Sequence, residues 1–296
     1  MTMIAYVGPD ISHDLLAATG RDAGPVGWNI DRPTPAADRW LESKFPLWAR
    51  SIVQDWADGA FDHLDAILFA RADDSAQRLY YYLTELQRQG QIDGPEPMVL
   101  EIATVPRASS VDHNRKAVAT LAARLDVTGD RLEQAIVATN ARRATSRAAT
   151  PSGWPVALLA GSAPPDRRLH RMVEASGWGV AGETLLDAWQ RLGPPVDEAS
   201  GDPFAALARQ LHACTQGARA FIDHEAKMLA DVRAAGARAA ILWFAEEEEA
   251  LVWHLPMQRR ALADAGVPTL VLTRRDWRGD DGVEREIATF LQGLGA

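Results

Sequence analysis

The chain is poor in cysteine, with only Cys214 among 296 residues. One thiol closes no disulfide within the chain, and it builds no Cys-rich zinc or cluster site there. Cys214 falls inside a stretch that reads as helix, residues 204–227, and is expected to serve as a small buried hydrophobe. Positive charge is also short, 31 Lys and Arg against 40 Asp and Glu, for a formal net charge of -9. Such a surface repels nucleic acid and anionic membrane, and no basic block offsets it, so neither is an expected partner. Long apolar runs are missing: nothing approaches the roughly 20 residues that span a bilayer. Residues 1–10 lack a basic region followed by an apolar stretch, so no secretory signal is expected and the cytoplasm is the expected location. No GxGxxG fingerprint, Walker loop or GxSxG elbow occurs, which leaves the common nucleotide and hydrolase readings unsupported.

What is present is an alternation of short apolar runs with longer helical segments, the pattern of α/β architecture. Strands are expected at Asp65-Ala-Ile-Leu-Phe-Ala70, Met98-Val-Leu-Glu-Ile102, Val156-Ala-Leu-Leu-Ala160, 179–183, Ala239-Ala-Ile-Leu-Trp-Phe244 and Val267-Pro-Thr-Leu-Val-Leu-Thr273. Helices are expected over residues 45–56, 75–89, 109–125, 128–147, 166–176, 204–235 and 282–294, with another running from the 246–249 acidic stretch to 265. The segment 148–155, with two prolines and a glycine, divides an N-terminal α/β domain, 1–150, from a C-terminal one, 151–296. Strand–helix–strand order implies right-handed crossovers, mostly parallel sheets and two Rossmann/flavodoxin-like domains facing each other across a cleft. Ligands of such sheets sit beyond the carboxyl ends of the strands, which directs attention to loops 71–75, 161–165 and 245–249.

Acidic residues dominate two of those loops. Asp73 and Asp74 follow a strand and open a helix, where carboxylates meet free N–H groups and the helix dipole. Placed in a shared cleft with Glu246 to Glu249, they would instead offer oxygen ligands to a hard cation, or a general base if burial raised a pKa. Acids alone do not specify a metal, and none is assigned. Glu246 and its three neighbours read most simply as a solvated first helical turn, of which at most two would point at a ligand, because successive positions are about 100° apart. Ser75 suits either a helix cap or a hydrogen bond to a thioester carbonyl. His13 suits either packing or acid/base work. The ten tryptophans are expected in cores and subunit interfaces rather than on a stacking surface.

The order of segments resembles the subunits of 2-hydroxyacyl-CoA dehydratases and the related benzoyl-CoA reductases over nearly the whole length. The resemblance is carried by Leu15-Leu-Ala-Ala-Thr-Gly20 before Pro25-Val26, by Leu64-Asp-Ala-Ile-Leu-Phe69 before Asp74-Ser75, and by Leu132-Glu-Gln-Ala-Ile136 with Asn140 and Arg142 or Arg143. It continues in Gly161-Ser162 with Asp166 and Leu169, in Asp202-Pro203 with Ala206-Leu207-Ala208, and in Gly266-Val-Pro-Thr-Leu270 with Arg285, Ile287 and Phe290. It implies two related subunits, each with a cluster, reduced by an ATP-dependent activator. Such enzymes remove water from a 2-hydroxyacyl-CoA or reduce an aromatic acyl-CoA.

Three departures accompany it. Asp73 stands where the family's first cluster cysteine precedes Asp-Ser, Ala245-Glu-Glu-Glu-Glu249 stands where the last one is expected, and Ser12-His13-Asp14 replaces Pro-Glu-Glu. A cluster needs soft thiolate ligands. The expectation is therefore a subunit of a lyase or acyl-CoA reductase complex with no cofactor of its own. It would bind or act on an acyl-CoA thioester beside a related subunit carrying a [4Fe-4S] cluster, or as a homodimer. The alternative is a stand-alone small-molecule binding protein or a non-redox enzyme with an acidic cleft.

Overall fold

A computed structural model describes residues 3–145, 153–214 and 220–295. In chain order the first elements are β1 (Ile4–Val7), α1 (His13–Thr19), β2 (Asp22–Pro25), α2 (Pro35–Trp40), α3 (Leu47–Ala57), β3 (Ala66–Ala70), α4 (Asp74–Arg88), β4 (Glu96–Leu100), α5 (Ala108–Arg124) and α6 (Gly129–Thr145). There follow β5 (Val156–Gly161), α7 (Arg168–Ala175), β6 (Gly179–Ala181), α8 (Leu185–Gln190), α9 (Pro203–His212), α10 (His224–Ala235), β7 (Ala237–Ala245), α11 (Leu255–Asp264), β8 (Thr269–Arg275) and α12 (Val283–Gly293). A 3-10 turn, Leu251–His254, precedes α11.

The protein is α/β. Among the described residues it has two four-stranded sheets, ordered β2-β1-β3-β4 and β6-β5-β7-β8, with every pairing parallel. The shared order is that of a doubly wound, flavodoxin-like sheet. Both faces of such a sheet are covered, so its inner strands read as unbroken apolar runs. In β7, Ala239, Ile241, Trp243 and Ala245 join a core with Leu169, Val173, Ile287 and Leu291. The alternate residues Ala240, Leu242 and Phe244 join a second core with Met228, Val232 and Leu262. Successive strand side chains point to opposite faces, which is why one strand feeds two cores. Helices show the complementary spacing: Ala76, Leu79, Leu83 and Leu86 form the buried stripe of α4.

The chain divides into two compact units, one drawn from Met1–Arg147 with Trp189–Phe221, the other from Ala148–Ala188 with Ile222–Ala296. The C-terminal half is therefore not one continuous domain: residues 189–221 group with the first unit. Most of the expected 148–155 break lies outside the described residues. The expected helix over 204–235 is two helices. α9 starts on Asp202, which accepts from Ala205 N–H at 3.0 Å, and ends at His212. α10 starts afresh on Asp223, which accepts from Glu225 and Ala226 N–H. A second carboxylate cap marks a second beginning.

A buried polar network seats the returning segment in the first unit. Arg143 on α6 donates to both carboxylate oxygens of Asp14 on α1, at 2.9 and 2.6 Å. The two side chains are only 5% and 1% exposed. The same guanidinium donates to the Leu192 carbonyl and to Asn140 Oδ1. Asn140 in turn exchanges hydrogen bonds with the Val196 backbone and donates to Glu198. Isolated, either charge would be expensive to bury; paired in this geometry, each is satisfied. We expect Arg143→Ala, which strands the Asp14 carboxylate, to cost about 3–5 kcal/mol of stability in urea denaturation. A cost near that of a surface substitution would contradict this.

Candidate functional site

A parallel sheet of order β2-β1-β3-β4 reverses its winding between β1 and β3, because the chain leaves β1 toward one edge and β3 toward the other. The loops after those two strands diverge and leave a crevice at the carboxyl edge. In the first unit this crevice holds a cavity of about 50 Å³. Its walls are apolar: Ile11 after β1, Ala70 and Ala72 around the end of β3, Leu100 and Ile102 at β4, and Leu211 from α9. Its polar groups are Asp10, Arg71, Thr104 and Cys214.

Local geometry fixes how these groups arrive. Gly8 ends β1 at φ +100, and a Cβ there would come within 2.6 Å of the Ala70 Cβ. The backbone of the first loop can thus lie directly against β3 only with glycine at this position. Two residues on, Asp10 adopts the left-handed region at φ 55, which Asp tolerates better than most side chains. Burial raises the Asp10 carboxyl above the ordinary carboxylate range, and the charge of Arg191 opposes the shift. Arg71 is tied to Glu101 at 2.7 Å. Cys214 lies just past the end of α9, half-buried, rather than within a helix. Burial, with the charge of Asp10 adding to it, pushes its thiol up to about 12. The shift runs opposite to the depressed pKa that marks a reactive thiolate.

The residues singled out from sequence fall elsewhere. Asp73 is the N-cap of α4: its carboxylate accepts from Ala76 N–H at 2.7 Å. Asp74 and Ser75 are the first two helical residues, exposed and half-buried respectively. Glu246 is exposed and belongs to the second unit. The acidic stretch there does not open a helix; it forms a turn, and α11 begins only at Leu255. Two of its acids face protein donors. Glu248 accepts from Ala250 and Leu251 N–H and from Ser162 Oγ, and Glu247 accepts from Trp277 Nε1 at 2.7 Å. Among the described residues, no group of three or more His, Cys, Asp or Glu is arranged to hold a metal ion. No helix of the described residues is long and apolar enough to cross a membrane.

His13 is a packing residue, 6% exposed, at the head of α1. Its ring stands edge-on to Tyr6 with centroids 5.3 Å apart and hydrogen-bonds the Trp189 backbone, while Nε2 has no partner. The second unit repeats the motif. Gly161 ends β5 at φ +107 against the Trp243 backbone, Pro165-Asp166 follows, and His170 near the head of α7 is 1% exposed with Nε2 3.1 Å from the Gly182 carbonyl oxygen. The first loop is not among the sequence-derived candidates although Gly8-Pro9-Asp10 follows the apolar run Ile4-Ala-Tyr-Val7. That punctuation was the available signal for Asp10. For Thr104 and Cys214 no local signal existed.

Two predictions follow from these placements. Asp73→Ala should cost about 1 kcal/mol, as loss of a helix cap does, and leave the fold intact by circular dichroism; no cost would remove the capping role. Burial lowers the pKa of both His13 and His170 below the ordinary 6.5. The unfolded chain therefore takes up protons below that pH that the folded chain refuses, so stability is complete above it and declines as pH falls through it. His13→Phe should flatten the decline of Tm between about pH 7.5 and 5.5, and parallel curves would contradict the assignment.

No protein-family model matches the chain, and a search of curated proteins finds no match.

Proposed function

We propose that the chain is a cluster-free relative of the 2-hydroxyacyl-CoA dehydratase and benzoyl-CoA reductase subunits, binding an acyl-CoA thioester together with a related, cluster-bearing subunit. The observation that carries this reading is the convergence of Asp14, Asn140 and Arg143. They lie up to 129 positions apart, and two of them belong to the helix that carries the resemblance, yet they meet in one buried network. Asp202-Pro203, another element of it, opens α9 as an Asp-Pro helix start, with Arg115 bonded to the capping carboxylate at 2.7 Å.

The donor set does not fit an iron–sulfur cluster. Asp73, at the position of a ligand, is a hard carboxylate already turned onto its own helix. The loop after β7 offers carboxylates, two of which bond to Trp277 and to the backbone ahead of α11. Cluster iron prefers thiolate sulfur. No electron-transfer step is assigned to this chain, and the cluster falls to the partner.

A second reading, a stand-alone small-molecule binding protein, is favoured by the first-unit cavity, which no partner residue is needed to form. Purification of the tagged chain from its own cells separates the two. The subunit reading expects a stoichiometric partner of related sequence that keeps the cysteines and shows iron–sulfur absorbance. It also expects a rise in Tm with a 2-hydroxyacyl-CoA. A monomer with no such partner and no response to any CoA thioester would sink it.

A further inference from the structure

We infer that the cavity at the carboxyl edge of the first sheet takes a small aliphatic ligand bearing a protonated amine, with the Asp10 carboxylate as its charge partner. The inference rests on the second reading above, the stand-alone binding protein, and names the ligand class for it.

The carboxylate supplies the first half of the argument. Elsewhere, aspartates at helix starts are used on the protein's own N–H groups: Asp73 on Ala76, Asp202 on Ala205, and Asp223 on Glu225 and Ala226. Asp10 differs from these. It lines the cavity from a left-handed backbone at φ 55, and among the described residues no donor hydrogen-bonds its carboxylate. The charge of Arg191 favours the ionised form, while burial works against it. An ammonium group beside Asp10 would bring hydrogen-bond donors and positive charge together. The other charge of the lining, Arg71, is bonded to Glu101 at 2.7 Å. A ligand therefore meets a neutral pair there, and Asp10 sets the sign of the site.

The walls supply the second half. Ile11, Leu100, Ile102 and Leu211 are branched aliphatic side chains, with Ala70 and Ala72 beside them. A bare metal ion has no use for such walls. Ca²⁺ takes about 6–8 oxygen ligands and Mg²⁺ about six, whereas the oxygen-bearing side chains of the lining are those of Asp10 and Thr104. Among the described residues no group of three or more His, Cys, Asp or Glu is arranged to hold a metal ion. An alkylammonium uses both parts of the lining: its methylene groups bury against the aliphatic walls, and its N–H groups are offered the carboxylate. Such an amine is charged at neutral pH, because its pKa lies near the roughly 10.4 of a lysine side chain.

NMR titration of the isotope-labelled full chain with butylammonium, 1-butanol and butyrate, at pH 7.5 and matched ionic strength, tests this. The three probes share an aliphatic chain and differ in charge. Butylammonium should bind about tenfold tighter than 1-butanol, since hydrogen bonds to charged groups exceed neutral ones by about that factor. Butyrate should bind more weakly than 1-butanol. Asp10→Asn keeps the shape of the side chain, and Asn tolerates the left-handed region as Asp does. It should bring butylammonium down to the level of 1-butanol and leave 1-butanol unchanged. The probe comparison in the unaltered chain stands even if that variant does not fold. Butyrate or 1-butanol matching butylammonium, or an amine preference that survives Asp10→Asn, overturns the inference. Displacement of butylammonium by magnesium or potassium chloride would identify a metal-ion site and overturn it as well. If 1-butanol or butyrate binds and butylammonium does not, the binding-protein reading stands and the charge assignment fails. If none of the three binds, both fail.

Discussion

The first unit depends on a buried carboxylate meeting a buried guanidinium. Asp14 and Arg143 lie on α1 and α6 with side chains almost wholly removed from solvent, so the pair must supply most of the hydrogen bonds that water would have given. The Arg143 donors are used on Asp14, Asn140 and the Leu192 carbonyl, the last contributed by a segment that returns after an excursion through the second unit. The ion pair is made by α1 and α6, and the remaining bond of the guanidinium, to the Leu192 carbonyl, requires the returning segment. That bond is one of several that tie this stretch to the N-terminal elements, with those of Asn140 to Val196 and of Arg115 to Asp202. α9 itself packs against α5, with Arg115 bonded to its capping Asp202 and His212 Nδ1 3.1 Å from the Ala103 carbonyl oxygen, and this sets Leu211 and Cys214 on the wall of the cavity.

The second constraint is backbone proximity at the crevice of each sheet. Gly8 and Gly161 occupy equivalent places, each ending the first strand of its sheet with positive φ and each pressed against the third strand. A side chain at either point would push the loop outward and close or distort the crevice. The buried histidines that follow, His13 and His170, anchor the next helix in each unit through a backbone hydrogen bond. The two units thus reuse one solution to the same packing problem but differ in what they do with the crevice. In the second, Ser162 and Glu248 tie the loops to each other and to the turn ahead of α11.

Much of the architecture was legible because its causes are local. The apolar runs of β3, β5, β7 and β8 stand out since both sheet faces are buried, and Asp73 was readable as a cap because a carboxylate after a strand and before a helix has few other local partners. β1 went unread: four residues at the start of a chain carry too little pattern to separate a strand from a loop. The helix expected over 204–235 failed for a related reason, since composition favoured helix throughout and the second cap, Asp223, was outweighed by it. The acidic stretch 246–249 misled because charge density suggests solvent, while Glu247 and Glu248 are held by donors distant in sequence.

By itself the sequence determined the α/β class, the inner strands β3, β5 and β7 with the helices beside them, and the want of thiolates for a cluster, because these follow from hydrophobic period, turn chemistry and residue count. Only the tertiary structure decided where the site residues lie. Asp10, Thr104 and Cys214 become neighbours through strand order and the return of α9, and no local pattern encodes a contact between positions some two hundred residues apart. The same is true of Asp14 and Arg143. Which carboxylates are free to meet a ligand and which are held by the protein's own N–H groups is a matter of three-dimensional hydrogen-bond satisfaction, and that is settled only when the chain has folded.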